Sequence, residues 1–199
     1  MSFKTAMTVI KSAFTDLLSE SQLLVTNSGV IDLDKNVDFD FSKSVIQSKV
    51  DLSNKNLSGS KFVNSTIQSV RLVKANLKNA DFTDATLQSD HFEDAYLCDS
   101  VFTNATIQSS HFERSILKNA VFDKATLQSA HLEGADLRNA SFIRSTIQSV
   151  KFMGSNLIGA DFTDAVIQSC DFAGVIIDDT TKLPPKILEI IRGGGTTNA

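Results

Sequence analysis

The sequence has few of the residues that mark a secreted, membrane or nucleic-acid-binding protein. It contains no Trp, one Tyr, two Pro and two Cys in 199 residues. Two widely separated cysteines cannot form the disulfide framework of a small secreted scaffold. No apolar run approaches the ~20 residues that cross a bilayer, and the N-terminus has no signal-peptide core or cleavage site. These absences predict a cytoplasmic protein with no membrane partner.

The charge and motif content excludes further classes of function. A net charge of −4 is too small, and of the wrong sign, for nucleic-acid binding, which requires a basic face. The sequence has no Gly-rich phosphate loop, no Gly-x-Ser-x-Gly elbow, no Cys-x-x-Cys pair and no His-Glu-x-x-His motif. We therefore predict a protein that is not an enzyme and binds neither a cofactor nor nucleic acid.

A repeat of five residues runs through most of the chain. Every fifth residue from Leu52 to Ile177 is Leu, Ile or Phe. The residue two positions earlier is Ala, Ser, Val or Cys, except at Lys55 and Asp90. A period of five matches neither an α-helix nor a β-strand. It indicates an architecture of stacked repeats.

A second repeat of twenty residues is superimposed on the first. The tetrapeptide Thr-Ile/Leu-Gln-Ser recurs every twenty residues, at 66–69, 86–89, 106–109, 126–129 and 146–149. A Phe column keeps the same spacing, at Phe62, Phe82, Phe102, Phe122, Phe142 and Phe162. Four pentapeptides therefore form one four-sided coil, in which residues twenty apart become vertical neighbours.

These units resemble those of a known family. The segments 75–79 (Ala-Asn-Leu-Lys-Asn) and 135–139 (Ala-Asp-Leu-Arg-Asn) are similar to the small-Asp/Asn-Leu/Phe-x-x unit of the pentapeptide-repeat proteins. The resemblance implies an all-β solenoid, a right-handed quadrilateral β-helix of parallel stacked coils. In such a fold the central and small residues point inward and fill a narrow core, which leaves no cavity for a substrate.

The chain divides into a regular solenoid and two terminal parts. An amphipathic stripe from Phe3 to Leu17 predicts an N-terminal capping helix, and Lys49 is an extra residue that predicts a corner bulge. Pro184 and Pro185 predict a short C-terminal helix. The predicted units are a capping helix and linker at 1–28, an irregular first coil at 29–49, the regular β-helix at 50–179, a capping segment at 180–192 and a flexible tail at 193–199. The C-terminal segment has two interpretations, a lid on the last coil or a homodimer contact.

All three His residues lie in one column. Each precedes a Glu by two positions, which predicts a column of imidazoles beside a column of carboxylates. One interpretation is a solvated ladder of His–Glu pairs. The alternative is binding of Zn²⁺ or Ni²⁺, which imidazole and carboxylate ligands suit. The candidate metal ligands are His91, His111, His131, Glu93, Glu113 and Glu133.

The side that carries the Thr-Ile/Leu-Gln-Ser repeat is almost free of charge. Gln side chains in register can hydrogen-bond along the stack and hold the coils together. Alternatively the side is a flat docking face, because the cores of protein interfaces are depleted of charge. The candidate interaction residues are Gln68, Gln88, Gln108, Gln128, Gln148, Thr86, Thr106 and Thr126.

The family resemblance suggests one specific activity to consider, the binding of a topoisomerase. Some quinolone-resistance members of the family resemble B-form DNA in shape and charge and bind DNA gyrase or topoisomerase IV. That mimicry requires continuous columns of carboxylates, whereas Lys61, Lys124 and Arg144 interrupt the acidic side here. The main prediction is a non-catalytic scaffold that presents flat faces to a protein partner. The alternatives are a topoisomerase-binding DNA mimic and metal binding by the His/Glu ladder.

Two residue types at unusual positions complete the predictions. Asp90 lies at an inward position, where an unpaired carboxylate is costly, so it either bonds Ser110 in the next coil or is turned outward. Cys170 is predicted to point inward and Cys98 outward. Their separation along the stack is too large for a disulfide.

Overall fold

The fold is a parallel β-solenoid, the right-handed quadrilateral β-helix that the family resemblance implies. The structure is a computed structural model that describes residues 23–26, 29–32, 39–47 and 50–193. One side of the solenoid is a seven-stranded parallel sheet in sequence order. Its strands are β3 (Val45–Gln47), β4 (Thr66–Gln68), β5 (Thr86–Gln88), β6 (Thr106–Gln108), β7 (Thr126–Gln128), β8 (Thr146–Gln148) and β9 (Val166–Gln168). No described helix is long and apolar enough to span a bilayer.

The backbone register confirms the period of twenty. Thr86 pairs with Thr106 in the sheet, and on the other three sides single parallel bridges join residues such as His91 and His111. Most corners are tight turns that place one residue in the left-handed region. The Leu72 carbonyl, for example, accepts the Ala75 N–H at 3.0 Å, and Lys74 has φ 58°. A positive φ at the third residue is the mark of a type II turn.

The interior consists of vertical columns of apolar side chains. Phe82, Phe102 and Phe122 are fully buried, and successive rings lie parallel with centroids 4.7 Å apart. Across the core, Phe102 meets Phe112 edge-on at 6.0 Å and 84°. The two sides are therefore close enough for their aromatic rings to touch. This contact fills the width of the solenoid, as predicted from the alternation of large and small residues.

The N-terminal end includes a hairpin that the sequence patterns did not indicate. Strands β1 (Leu23–Thr26) and β2 (Gly29–Asp32) pair antiparallel. The predicted N-terminal helix from Phe3 to Leu17 lies outside the described residues. Residues 39–47 belong to the solenoid, because Asp40 bridges Lys61 in parallel.

The extra residue inferred at Lys49 is visible as a change of register. Val45 pairs with Thr66, a separation of twenty-one, whereas Asp51 bridges Arg71, a separation of twenty. The insertion thus falls between Gln47 and Asp51. Lys49 itself, and with it the shape of the predicted bulge, lies outside the described residues.

The C-terminal end is closed by a short helix. Helix α1 (Pro185–Arg192) begins at the second proline, as predicted, and Leu183 and Ile187 are buried against the solenoid core. The Gly193 N–H donates to the Glu189 carbonyl at 2.9 Å where the helix ends. The same chain thus supplies the apolar cover of the last coil. The tail predicted beyond Gly193 lies outside the described residues.

Candidate functional site

The first candidate surface, the Thr/Gln face, consists of the outward side chains of β3–β9. In each central strand the middle Ile or Leu is buried and the flanking Thr and Gln are exposed. The alternation follows from strand geometry, in which successive side chains point to opposite faces. All the predicted interaction residues lie on this one face, which brings together Gln68, Gln88, Gln108, Gln128, Gln148, Thr86, Thr106 and Thr126.

The Gln side chains of this face are not used to hold the coils together. Within the described chain they make no hydrogen bonds to one another. The register is set by the backbone, as in the 2.9 Å bond from the Ser89 N–H to the Gln108 carbonyl. Side-chain ladders occur at other corners, where Asn119 Nδ2 donates to Asp99 Oδ1 at 2.9 Å. The described contacts between coils therefore do not depend on bonds between these Gln side chains.

The second candidate surface, the His/Glu ladder, lies on the side that follows the Thr/Gln face in each coil. The rings of His91 and His111 stack with centroids 5.0 Å apart, and those of His111 and His131 with centroids 4.7 Å apart. The Nδ1 atoms of His91 and His111 lie 2.9 Å and 3.0 Å from Oε1 of Glu93 and Glu113. The structure thus brings together the six predicted residues, as stacked rings beside stacked carboxylates.

The third histidine sits differently from the other two. His131 Nδ1 lies 3.3 Å from Oε1 of its own Glu133 and 3.7 Å from Oε1 of Glu113 in the coil before it. Its ring is tilted 24° from that of His111, whereas the rings of His91 and His111 are within 7° of parallel. The Glu113 carboxylate is therefore shared by two imidazoles.

Each Glu of the ladder has one oxygen that is buried and unpaired. The Oε2 atoms of Glu93, Glu113 and Glu133 have no hydrogen-bond partner within the described residues. A buried carboxylate oxygen without a partner is unfavourable, because its charge has lost contact with water. Each carboxylate of the column thus contacts an imidazole through Oε1 and leaves Oε2 without a partner among the described residues.

Asp90, beside the ladder, is buried rather than turned outward. Its Oδ1 accepts the Val70 N–H at 2.9 Å and its Oδ2 accepts the Gln88 N–H at 2.9 Å. The predicted bond from the carboxylate to Ser110 is wrong, because the Ser110 hydroxyl instead accepts the Asp90 N–H at 3.2 Å. Burial raises the pKa of Asp90 to about 7, although the two N–H donors and His91 act in the opposite direction.

The two cysteines are free thiols, and both are buried. Cys170 lies at an inward position, as predicted, and burial raises the pKa of its thiol. Cys98, at its predicted outward position, is nevertheless only 7% exposed. It follows Leu97 on the outer surface of the coil, but it lies outside the core cluster and is covered by its surroundings.

An apolar pair on the outer surface was missed. Tyr96 and Ile116 are vertical neighbours and are 40% and 37% exposed. Asn and Asp occupy the equivalent position in several other coils, for example at Asn76 and Asp136. The sequence could have revealed this pair, because it places large apolar residues at a position of the repeat where several other coils have polar ones.

Several acidic residues form local ion pairs with Arg or Lys. Asp94 pairs with Arg114 at 2.8 Å and Asp161 pairs with Lys182 at 2.7 Å. Bidentate contact with Arg138 lowers the pKa of Asp136. Binding to a topoisomerase, which needs uninterrupted negative charge, remains a prediction without support from this charge distribution. A gyrase supercoiling assay tests it directly.

Comparisons with known proteins agree with the repeat architecture. The model described as "pentapeptide repeat region" matches residues 105–181, and the model described as "pentapeptide repeats (8 copies)" matches residues 48–79 and 80–119. No curated protein matches the sequence significantly.

Similar solved structures include three pentapeptide repeat proteins. HetL from the cyanobacterium Nostoc sp. strain PCC 7120, involved in heterocyst differentiation regulation, is 20% identical over 72% of this chain and 78% of its own, with a TM-score of 0.30. QnrB1, a plasmid-mediated fluoroquinolone resistance protein, is 19% identical over 82% of this chain and 90% of its own, with a TM-score of 0.42. A protein of the Arabidopsis thaliana thylakoid lumen is 30% identical over 50% of this chain and 66% of its own, with a TM-score of 0.23.

The repeats, the four-sided coils and the matched family models all describe the same architecture. The chain belongs to the pentapeptide repeat family.

Proposed function

We propose that this protein is a cytoplasmic, non-catalytic scaffold that binds a protein partner through the Thr/Gln face. The observation that carries the proposal is a continuous seven-stranded surface of neutral side chains whose amide groups are not used within the fold. Such a surface loses little on desolvation by a partner, because no isolated charge has to be buried. Each Gln offers a donor and an acceptor that a partner can pair.

The edge of the Thr/Gln face has the composition of an interface rim. The corner before each strand is exposed, and its residue varies between coils among Asn, Asp, Lys and Arg, for example Asp84, Lys124 and Arg144. A neutral centre with a charged border is the usual anatomy of a protein interface. The charge pattern along the border supplies orientation and specificity, since rim charges act mainly on the association rate and on partner choice.

The experiment introduces a charge into the middle of the face. A partner is isolated from the native cells with the full chain as bait, and its affinity is measured for the wild type and for Gln108→Arg. An unpaired charge buried in an interface costs roughly 2 kcal/mol or more. We therefore expect Gln108→Arg to weaken binding by about thirtyfold.

The matched control is Thr103→Arg, in the same coil and on the adjacent side. Thr103 is outward and only partly buried, and its substitution adds the same charge at the same height of the solenoid. The partner should bind this variant as tightly as the wild type. Equal weakening by both substitutions, or by neither, would place the contact on another surface, and circular dichroism checks that both variants remain folded.

A further inference from the structure

We propose that the His/Glu ladder contains a binding site for a divalent transition-metal ion, Zn²⁺ or Ni²⁺, formed by His111, Glu113 and His131. One ligand atom from each residue lies within 4.8 Å of the others. His111 Nδ1 and His131 Nδ1 approach the same oxygen, Glu113 Oε1, at 3.0 Å and 3.7 Å. Imidazole nitrogen and carboxylate oxygen are ligands that both ions accept. The site is independent of the Thr/Gln face.

Rotation of the side chains, with no change in the backbone, is the movement that would bring the three ligand atoms to coordination distance. Ligand atoms about 2.0–2.1 Å from a tetrahedral ion are about 3.3 Å apart, so the two imidazoles have to approach each other by about an ångström or more. The backbone stays fixed, because the His111 and His131 N–H groups bond the preceding coil at 2.8 Å and 3.0 Å. The two rings already depart from parallel stacking by 24°, so closing the site requires a further tilt of rings that are not held coplanar.

The electrostatics of Glu113 favour a bound cation. Its Oε2 atom is buried and has no partner within the described residues. Its Oε1 atom is shared between two imidazoles, neither of which has to be charged. A divalent ion at Oε1 would satisfy the carboxylate charge directly. Three protein ligands leave one coordination position for water, as in open zinc sites.

The neighbouring pairs are less suitable, which gives the site a defined place in the ladder. His91 Nδ1 forms its 2.9 Å contact with Glu93, and its ring lies parallel to that of His111, 5.0 Å away. Glu133, at the other end, has Lys151 Nζ at 4.0 Å as a competing cation. Within the described residues, His111, Glu113 and His131 are the one group of three that meets the ligand spacing.

The test is calorimetric titration of the untagged, chelator-treated full chain with ZnCl₂ and with NiCl₂. We expect one ion per chain. His131→Asn and Glu113→Gln should each weaken binding by roughly tenfold or more, which corresponds to about 1.4 kcal/mol. His91→Asn, an equivalent substitution in the same column, should leave the affinity within about twofold. The His111 and His131 ring signals in NMR spectra should shift with added Zn²⁺, while the His91 signal stays in place.

Two results would overturn the proposal. One is the absence of saturable binding at millimolar Zn²⁺ and Ni²⁺. The other is equal weakening by His91→Asn and His131→Asn, which would describe loose attraction to the whole column rather than a site. Circular dichroism of each variant separates loss of ligands from loss of fold, and Gln108→Arg, on the Thr/Gln face, should bind the ions as the wild type does.

Discussion

Asp90 shows how the interior of the solenoid accepts a carboxylate. Backbone N–H groups from its own coil and from the coil before it are directed at the inward side chain of Asp90. Two of these, from Val70 and Gln88, bond the carboxylate at 2.9 Å. They compensate only part of the desolvation, and the pKa of Asp90 therefore rises to about 7. At neutral pH the residue is a source of instability that the rest of the coil has to offset.

The first prediction concerns the pH dependence that Asp90 imposes. Its pKa is higher in the folded than in the unfolded chain, so the folded state binds the extra proton between about pH 4 and pH 7. Stability due to this group is therefore greatest at low pH and is lost as the pH rises to about 7. In Asp90→Ser the titration is absent. The unfolding free energy of the variant relative to the wild type should increase by up to about 4 kcal/mol between pH 4 and pH 8.

Urea unfolding at pH 4, 6 and 8 measures this difference. Serine is the matched replacement, because Ser110 occupies the same column and accepts the N–H of the coil before it. A constant difference across the pH range would show that Asp90 titrates as an exposed carboxyl does.

At the scale of single residues, the repeat predicts whether a side chain points inward or outward better than it predicts which groups that side chain will bond. The five-residue repeat correctly identified Asp90 as an inward residue, because whether a side chain points inward depends on its position within the repeat. Its bonds to Val70 and Gln88 come from backbone groups at a corner, and residue identities do not encode those. Cys98 illustrates the same limit, since its frame position is outward but only 7% of it is exposed.

At the scale of the repeating element, the Phe column should contribute more stability than the mixed column opposite. Phe102 stacks on two rings, Phe82 and Phe122, each at 4.7 Å, whereas Phe112 stacks on Phe92 and meets Leu132 in the next coil. A stacked aromatic pair contributes about 0.5–1.5 kcal/mol beyond its buried area. Phe102→Leu should therefore lower the free energy of unfolding by about 1 kcal/mol more than Phe112→Leu.

The two substitutions, Phe102→Leu and Phe112→Leu, serve as controls for each other. Both residues are buried and both lose the same edge-on contact, which joins Phe102 to Phe112. Only the number of stacked neighbours differs between the two substitutions. Equilibrium unfolding in urea provides the measurement, and a greater loss for Phe112→Leu would show that stacking is not what distinguishes the columns.

The elements were predictable where they repeat and were missed where they do not. The strands β4–β9 and their register follow from similar residues at positions twenty apart. Parallel in-register pairing places these equivalent residues next to each other in successive coils. The hairpin of β1 and β2 has no counterpart in the other described segments, so periodicity carried no information about it. The grouping of the His/Glu ladder was predictable from spacing. The tilt of the His131 ring was not, since it depends on side-chain contacts between coils.

At the scale of the whole molecule, the question is how the core of the last coil is covered at the end of the solenoid. A solenoid is stabilised by contacts between neighbouring coils, so its last coil has one partner fewer. The sheet ends at β9, where the inward Ile167 is only partly buried, as is Ile177 in the same coil. Leu183 and Ile187 cover the core of this coil from above. Helix α1 is thus a lid supplied by its own chain.

The last prediction follows from this lid. Ile187→Asp places a charge where an apolar side chain is 5% exposed, and it should detach α1. Amide hydrogen exchange in β9 should then accelerate, while exchange in β5, four coils away, stays unchanged, because coupling along a solenoid passes only between neighbours. Lys186→Ala, an exposed substitution in the same helix, should alter neither region.

The same variant decides between the lid and the homodimer. If α1 covers its own last coil, sedimentation gives the monomer mass for the wild type and for Ile187→Asp alike, since the helix contacts no second chain. If α1 joined two chains, the wild type would sediment as a dimer, and the substitution would halve its mass while exposing β9. Faster exchange in β9 without a change of mass is the outcome that we expect from the burial of Leu183 and Ile187 against their own chain.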